Sequence, residues 1–276
     1  MSTPTLPVSW LQNHLTEPNT VILDCRFSLA DAQAGRRQYQ LGHIPGAHYV
    51  DLNQDLSSPV GQHGGRHPLP NLVELAEKFA AMGIYSGGSQ EPTTVVVYDD
   101  GLAFAARCWW LLRYLGHDAV KVLDGGFKAW QAAGYDVTDE VPQVGQERGQ
   151  FLPNVRSQWV VDIDQVKARK DLPGVVLIDS REGDRYRGDR EPIDPVAGHI
   201  PGAINYPWTE IFDTNGYVLP EALQQQRWAA HQSNEMLVYC GSGVTACANL
   251  MSLEAAGIDN AKLYAGSWSD WCSYLN

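Results

Sequence analysis

Apolar residues occur in short unbroken runs, and helical segments separate these runs along the chain. In the second half the pattern predicts a buried strand over 235–239, a helix over 244–256 ended by Gly257, and a further strand over 261–264. The first half predicts the same succession of elements over 93–98, 103–115 and 120–123. Strands that alternate with helices are typical of a parallel α/β sheet.

The two halves of the chain repeat one another. Each begins with a β-branched run that ends in an aspartate, Asp24 or Asp179, and each continues into the turn Gly-His-Ile-Pro-Gly-Ala. A constant offset without gaps then relates four further positions: Gly116 to Gly257, Lys121 to Lys262, Gly125 to Gly266 and Trp130 to Trp271. Self-similarity at a fixed offset indicates a duplication of one structural unit.

A length of 276 residues is comfortable for two domains of ordinary size. We therefore predict an α/β protein with two tandem domains of the same fold, each with a central parallel sheet flanked by helices. The predicted boundaries place the first domain at 1–140, a polar linker with proline and glycine at 141–156, and the second domain at 157–276.

Charge and cysteine usage exclude several classes of protein. The formal net charge of −12 argues against a nucleic-acid partner, because phosphate recognition needs a basic face. No run of about 18 apolar residues occurs, so no membrane span is predicted, and residues 1–15 lack the pattern of a secretory signal. Five cysteines without a Cys-x-x-Cys pair are poor material for a disulfide framework or a zinc site. We expect a reduced, cytoplasmic protein with no metal and no cofactor.

The informative difference between the repeats lies directly after a matched strand, where the second half has Cys240 and the first has Asp99. Cys240 opens the segment Cys-Gly-Ser-Gly-Val-Thr-Ala, which leads into a predicted helix. In an open α/β sheet, ligands bind at the carboxyl ends of the strands. Glycines at 241 and 243 let successive amides turn inward, so the loop is predicted to form a nest of N–H donors that suits an anion.

Such a loop also favours a reactive thiol. The field of a helix N-terminus lowers the pKa of a thiol from about 8.5 to about 3.5–7.5 and makes the thiol a ready nucleophile. A persulfide anion on Cys240 could be held by the same amides. The alternative for Cys240 is a small, inert, buried thiol, as most free cysteines are. Cys247 is near enough in sequence to be considered as a redox partner, although a core position is favoured for it.

The loop from Cys240 to Ala246 resembles the active-site loop of 3-mercaptopyruvate sulfurtransferases. The two Gly-His-Ile-Pro-Gly-Ala turns and the segments that end at Trp130 and Trp271 resemble the two signatures of rhodanese domains. This resemblance covers nearly the whole chain and implies two rhodanese folds, a silent first domain in keeping with Asp99, and an active site between the domains. It further implies that a small anionic sulfur donor loads the cysteine and that the sulfur passes to cyanide, a thiol or a thioredoxin-like acceptor.

The composition of the loop bears on the donor. Gly241, Ser242, Gly243, Val244 and Thr245 are its predicted substrate-binding residues. The thiosulfate-specific members of the family that the loop resembles carry Arg and Lys at the first two of these positions, and those cations suit a dianionic donor. A neutral loop with a hydroxyl suits a 2-oxo acid thiol, with Ser242 bonded to the donor or polarising its departing group. Alternatively, that hydroxyl satisfies its own backbone.

A donor carboxylate needs a cation, and four arginines precede the second Gly-His-Ile-Pro turn: Arg181, Arg185, Arg187 and Arg190. Arginine binds a carboxylate with two parallel hydrogen bonds. By the resemblance, Arg185 matches the arginine that the family uses on its substrate, whereas a second family arginine falls on Asp194 here. We expect Arg187 or Arg190 to substitute for it. The alternative is a solvated loop, because acidic residues interleave with the arginines.

The resemblance also implies a histidine supplied by the first domain, and His67 matches it. The acid that accompanies this histidine in the family falls on Asn53, although Asp51 and Asp55 flank that position. A histidine within reach could adjust the protonation of the thiol. A surface-loop position is the alternative for His67. We also expect Trp208 to form a wall of the pocket.

Three other functions are alternatives to sulfur transfer from 3-mercaptopyruvate. A phosphatase of the same fold needs an arginine six residues after its cysteine, and this chain has Ala246 there. Thiosulfate sulfurtransferase is the runner-up, since Asp194 and Asn53 both depart from the mercaptopyruvate pattern. A non-catalytic rhodanese-like binding or regulatory module is the alternative of another class, and retention of Cys240 speaks against it. A monomer is expected for two domains packed on each other.

Overall fold

The computed structural model describes residues 3–88, 90–142 and 148–275. Residues 143–147 of the predicted linker lie outside the described residues. The part of the linker that follows them packs on the first domain, since Phe151 is buried with its ring centroid 5.4 Å from that of Phe79. The amide of Arg156 donates to the carbonyl of Tyr114 at 2.9 Å. This end of the linker therefore has fixed contacts with the preceding domain.

Strands and helices alternate along the chain in each half. The first half contains β1 (Thr5–Leu6), α1 (Val8–His14), β2 (Thr20–Asp24), α2 (Ala34–Leu41), β3 (Ala47–Tyr49), α3 (Leu72–Ala81), β4 (Thr94–Tyr98), α4 (Ala103–Tyr114), β5 (Val120–Leu123) and α5 (Gly126–Ala132). The second half contains β6 (Val160–Val161), α6 (Ile163–Arg169), β7 (Val175–Asp179), α7 (Gly183–Arg187), β8 (Ile204–Asn205), α8 (Glu221–Trp228), β9 (Glu235–Tyr239), α9 (Ala246–Ala255), β10 (Ala261–Tyr264) and α10 (Ser267–Cys272). Short 3-10 turns occur at Ser157–Trp159, Trp208–Ile211 and Ala229–His231.

Over the described residues the strands form two five-stranded sheets of identical topology. The order is β1-β5-β4-β2-β3 in the first and β6-β10-β9-β7-β8 in the second, and every pairing is parallel. The central strands are covered on both faces, which explains why β4 and β9 are almost continuously apolar. The predicted fold class is confirmed.

The recurring aspartate and the recurring turn serve one structural purpose. The guanidinium of Arg26 bonds to the carboxylate of Asp24, and its Nη2 also donates to the carbonyl of Gly42 at 2.7 Å. Arg181 repeats this arrangement in the second domain, with the aspartate at the end of β7 and the carbonyl of Gly198 at 2.6 Å. In each domain a buried ion pair thus anchors the Gly-His-Ile-Pro turn to the end of a central strand.

Helices α4 and α9 pack against each other and join the domains. Trp109 and Trp110 of the first helix share one apolar core with Leu250 and Met251 of the second. Helix α9 begins at Ala246, two residues later than predicted, because the Cys240 loop continues through Thr245. In the part of the chain described, no helix combines the length and apolar character needed to span a membrane.

Candidate active site between the domains

A cavity of about 420 Å³ lies between the two domains at the carboxyl ends of their strands. The first domain contributes Phe27, Arg66 and Phe104, and the second contributes Trp208 together with the Cys240 loop. Since both domains line it, the cavity exists only when α4 and α9 are packed. Trp208 forms part of its wall, as the sequence suggested.

Cys240 directly follows β9, and 1% of its surface is exposed. Its backbone is fixed by the start of α10. The Cys240 amide donates to the Ser267 hydroxyl at 3.1 Å, and the carbonyls of Cys240 and Gly241 accept from the amides of Trp268 and Ser269 at 3.0 and 2.9 Å. These three bonds fix the backbone that carries the thiol, so that little ordering of the loop remains when a ligand binds.

Two glycines give the loop its shape, for different reasons. Gly243 has a φ of +75°, and a Cβ at this position would lie 2.3 Å from the carbonyl oxygen of Ala265. A side chain is therefore excluded both by backbone conformation and by space. At Gly241 two arginine side chains leave little room for a side chain. A Cβ there would lie 3.0 Å from a terminal nitrogen of Arg66 and 3.6 Å from those of Arg185.

The corresponding loop of the first domain shows what the nest binds. The carboxylate of Asp99 accepts hydrogen bonds from four backbone amides at the start of α4: Gly101 at 2.8 Å, Leu102, Phe104 at 2.7 Å and Ala105 at 3.0 Å. Four amides on one buried carboxylate make an anion site that the protein fills with its own side chain.

In the second domain the matching amides belong to Ser242, Gly243, Thr245 and Ala246. Within the described residues no protein group accepts from these four amides. The thiol of Cys240 takes the place of the Asp99 carboxylate at the mouth of this nest. Gly241, Ser242, Val244 and Thr245 line the same cavity as Cys240, whereas the predicted loop residue Gly243 does not.

His67 of the first domain reaches the loop. Its Nδ1 lies 2.7 Å from the hydroxyl oxygen of Ser242, and the ring is buried. Burial, and then the positive charges of Arg107 and Arg66, lower the pKa of His67 from 6.5 to about 4. The imidazole is therefore neutral at neutral pH and exchanges one hydrogen bond with the serine. The contact spans the domain interface, and a surface-loop position for His67 is excluded.

The acidic residues near Asn53 have other partners. Asp51 accepts from the amides of Asn53 and Gln54 at 2.9 and 3.1 Å, and Asp55 forms an ion pair with Lys78. Within the described residues neither carboxylate bonds to the histidine that contacts Ser242. Among the described residues, the site thus contains a serine–histidine pair without a carboxylate partner.

Asp194 joins two arginines at the cavity wall. It forms ion pairs with Arg185 at 3.2 Å and, across the domain interface, with Arg66. Glu191 also accepts from Arg185 at 2.8 Å. Sequence reasoning missed Arg66, although it directly precedes His67 and so lies in the one segment of the first domain already assigned to the site.

The remaining arginines of the predicted cluster have different positions. Arg187 is 60% exposed, pairs with Asp189 at 2.8 Å and does not line the cavity. The structure does not bring this predicted substrate-binding residue to the site, because the short helix α7 directs it to the surface opposite Arg185. Arg190 lines the cavity mouth and pairs with Asp184 at 2.6 Å.

Cys247 is buried one helical turn beyond the loop. Its thiol lies 3.4 Å from the carbonyl oxygen of Gly243, and burial raises the pKa of Cys247 to about 12. A thiol with so high a pKa is a poor nucleophile near neutral pH. This environment does not favour Cys247 as a redox partner.

Comparison with known proteins agrees with this geometry. A family model described as the rhodanese-like domain matches residues 7–133 and again 162–274. A protein of Pseudomonas aeruginosa named probable 3-mercaptopyruvate sulfurtransferase is 46% identical over 96% of this chain and 94% of its own length. A protein of Mycobacterium tuberculosis named putative thiosulfate sulfurtransferase is 38% identical over 91% of this chain and 87% of its own. The solved 3-mercaptopyruvate sulfurtransferase from Leishmania major has a TM-score of 0.85 at 31% identity, covering 99% of this chain and 75% of that one.

Fold, site and comparisons define a class, that of tandem proteins with two parallel α/β domains and a cysteine loop between them. The chain belongs to the rhodanese family. Its full-length relatives are named as sulfurtransferases, so the prediction of an enzyme of this class is confirmed against the alternative of a non-catalytic module.

Proposed function

We propose that the protein transfers sulfur from 3-mercaptopyruvate, through a persulfide on Cys240, to a thiophilic acceptor. The observation that carries the proposal is the position of Cys240 at the mouth of an unfilled amide nest, beside the Ser242–His67 contact of 2.7 Å. The resemblance to relatives named for this donor supports it.

In the first half-reaction the Cys240 thiolate attacks the thiol sulfur of the donor. A sulfur–sulfur bond forms and the bond from that sulfur to C3 of the donor breaks. The electron pair of the broken bond leaves with the carbon fragment as the enolate of pyruvate, which takes up one proton to give pyruvate. The transferred sulfur is oxidised and C3 is reduced, so the step needs no external oxidant.

Ser242 and His67 are proposed to stabilise the departing enolate. Because the pKa of His67 is lowered to about 4, the ring is neutral at neutral pH and can donate its one N–H hydrogen bond to the serine hydroxyl, while the proton that converts the enolate to pyruvate comes from solvent. The hydroxyl can then donate to the carbonyl oxygen on which the enolate charge collects. The serine–histidine pair has no counterpart in the silent loop, where Gly101 matches Ser242.

Arg185 and Arg66 are proposed to hold the donor carboxylate. Both guanidinium groups approach Gly241, the residue next to the nucleophile. Arg66 then supplies from the first domain the cation that the family's second arginine would have supplied at position 194. Asp194 keeps the two arginines together in the absence of donor.

The second half-reaction returns the enzyme to its starting state. A thiolate or cyanide attacks the outer sulfur of the persulfide, the sulfur–sulfur bond breaks, and its electron pair returns to Cys240. A thiol or a thioredoxin-like protein would leave as a persulfide and cyanide as thiocyanate. We further propose a reducing, cytoplasmic setting, since Cys240 must remain a free thiol and all five cysteines are unpaired. We also propose that the protein is a monomer.

Thiosulfate is the second candidate donor. The relative from Mycobacterium tuberculosis is named for it, and Asp194 stands where an arginine is expected for mercaptopyruvate. The neutral loop argues against it, because Gly241 and Ser242 supply no cation for a dianion.

The deciding experiment treats the reduced protein separately with 3-mercaptopyruvate and thiosulfate and records intact mass, with Cys240→Ser as control. We expect the wild type alone to gain one sulfur atom, faster from 3-mercaptopyruvate, and to deliver it to cyanide. Faster loading from thiosulfate would overturn the donor, and the absence of loading from either would overturn the persulfide mechanism.

A further inference from the structure

Among the described residues, every guanidinium group that lines the cavity forms an ion pair with a carboxylate. The pairs are Arg26 with Asp24, Arg66 with Asp194, Arg181 with Asp179 and Glu191, Arg185 with Glu191 and Asp194, and Arg190 with Asp184. An anionic donor must therefore share an arginine with a carboxylate that the protein already holds.

Asp194 differs from the other carboxylates of these pairs because it joins the two domains. Its Oδ2 accepts from Nη2 of Arg185 at 3.2 Å, and its Oδ1 accepts from Nη1 of Arg66 in the first domain. Only 2% of its side chain is exposed. The position of the two guanidinium groups relative to each other therefore depends on this one carboxylate.

Both arginines hold a further terminal nitrogen beside the nucleophile loop. A Cβ at Gly241 would lie 3.0 Å from Nη2 of Arg66 and 3.6 Å from Nη1 of Arg185. Within the part of the chain that the structure describes, neither of these two nitrogens makes a hydrogen bond. Asp194 thus uses one nitrogen of each arginine and leaves another beside Gly241. Two such donors match the two oxygens of a single carboxylate.

Asp194 also sets the charge that a ligand meets. One connected network contains equal numbers of guanidinium groups and carboxylates: Arg66, Arg181, Arg185, Asp179, Glu191 and Asp194. The cavity wall adds the carboxylates of Asp99, Asp100 and Glu182. Each additional negative charge on a ligand is repelled by these groups, so the site disfavours a dianion more than a monoanion.

We propose that Asp194 is a specificity-determining residue: it bridges Arg66 to Arg185 so that one nitrogen of each faces a donor carboxylate, and its charge favours a monoanionic 2-oxo acid thiol over a dianion such as thiosulfate. This inference deepens the proposed function and rests on it for the identity of the donor. Its statement about ligand charge applies to any anion that enters the cavity.

The test measures how pyruvate, a monoanion, and sulfate, a dianion, protect Cys240 from alkylation by iodoacetamide at constant ionic strength. The adduct is located by peptide mass. Neither ligand donates sulfur, so the result does not depend on turnover. We expect pyruvate to protect the wild type at a lower concentration than sulfate does. In Asp194→Asn the half-protecting concentration should fall about 30-fold for sulfate and about 5-fold for pyruvate, because the repulsion removed is proportional to the charge of the ligand.

Two further variants separate charge from structure. Asp194→Glu keeps the carboxylate and should keep the preference of the wild type for pyruvate. Asp189→Asn removes a carboxylate that pairs at 2.8 Å with the exposed Arg187 outside the cavity, and it should leave both concentrations unchanged. Equal changes for the two ligands in Asp194→Asn, or no change, would overturn the inference. If Asp194→Asn does not fold, the wild type decides: protection by sulfate at the lower concentration, or by neither ligand, would overturn it.

Turnover assays connect this result to the donors. In Asp194→Asn the ratio of kcat/KM for thiosulfate to that for 3-mercaptopyruvate should rise about 5-fold, in line with the protection by the two anions. The expected protection pattern in a protein that gains no sulfur from 3-mercaptopyruvate would support the selection by charge and overturn the proposed function alone.

Discussion

The Asp99 loop and the Cys240 loop are two copies of one anion nest with different occupants. In the first domain the carboxylate of Asp99 accepts four amides and closes the nest from within. In the second domain no protein group among the described residues accepts from the equivalent amides, and we propose that an anion on Cys240 does. The same backbone therefore holds its own carboxylate in one domain and forms a candidate catalytic site in the other, and the exchange of Asp99 for Cys240 is the first difference between them.

The surroundings of the two loops have diverged as well. The strand-end ion pairs of Arg26 and Arg181 are kept in both domains, because both turns need an anchor. Ser242, by contrast, matches Gly101, and among the hydrogen bonds of the described residues a histidine ring meets the second loop and not the first. The ion pairs that both repeats share hold the fold together. The serine and its histidine contact, which the second loop alone has in this comparison, lie at the cavity.

The largest expected effect is the pH dependence that His67, beside the Cys240 loop, gives to the free energy of unfolding. Its pKa of about 4 in the folded protein lies below the ordinary 6.5, so the unfolded chain binds a proton that the folded protein does not. Stability is fully present above about pH 6.5 and is lost as the pH falls towards 4. At about 1.4 kcal/mol for each pKa unit, the loss is roughly 3 kcal/mol. Urea unfolding at pH 7 and pH 4 should show this loss in the wild type relative to His67→Gln. Equal pH dependence in both proteins would contradict a buried neutral ring.

Ser242→Ala removes the hydroxyl from the Cys240 loop, which then resembles the Asp99 loop, where Gly101 matches Ser242. We expect kcat with 3-mercaptopyruvate to fall about 100-fold, as the loss of one hydrogen-bond donor to a developing oxyanion typically does. Turnover with thiosulfate should fall much less, because that donor releases sulfite and no enolate. Steady-state assays with both donors measure the difference, and Ser86→Ala, outside the cavity, serves as control. An equal fall of kcat with both donors would contradict the proposal that Ser242 stabilises the departing enolate.

Asp99→Asn tests how much the four amide hydrogen bonds to the Asp99 carboxylate stabilise the first domain. The amide side chain presents one acceptor oxygen and an NH₂ group to four backbone donors, so we expect the free energy of unfolding to fall by about 1–3 kcal/mol. Asp100→Asn is the neighbouring control and should change stability little. Denaturant unfolding measures both. A stability equal to the wild type would mean that the silent nest does not need its carboxylate.

The smallest expected effect concerns the contribution of the first domain to donor binding. Arg66→Met should raise KM for 3-mercaptopyruvate about 10-fold, because a charge-assisted hydrogen bond to the carboxylate is lost. Arg187→Met removes an exposed arginine of the same predicted cluster and should leave KM unchanged. Equal KM values for Arg66→Met and the wild type would assign the carboxylate to Arg185 alone.

The sequence by itself determined the duplication, the parallel α/β fold and the Cys240 loop. Apolar runs, glycine positions and the offset between the repeats are local properties, and they fix strands, helices and loops without knowledge of the packing. The predicted strands 235–239, 261–264 and 120–123 agree with β9, β10 and β5. The start of α9 was misplaced by two residues, since the loop forms a nest before the helix begins.

Only the tertiary structure decided which distant side chains meet at the loop. Arg66 and Arg107 come from the first domain. Arg107 reaches the site because α4 packs on α9, and Arg66 reaches it from the loop between β3 and α3. Arg187 is close to Arg185 in sequence and far from the cavity in space, because one short helix turns the two side chains to different faces. Contacts of this kind depend on how two folded domains dock, and no local pattern in the chain encodes them.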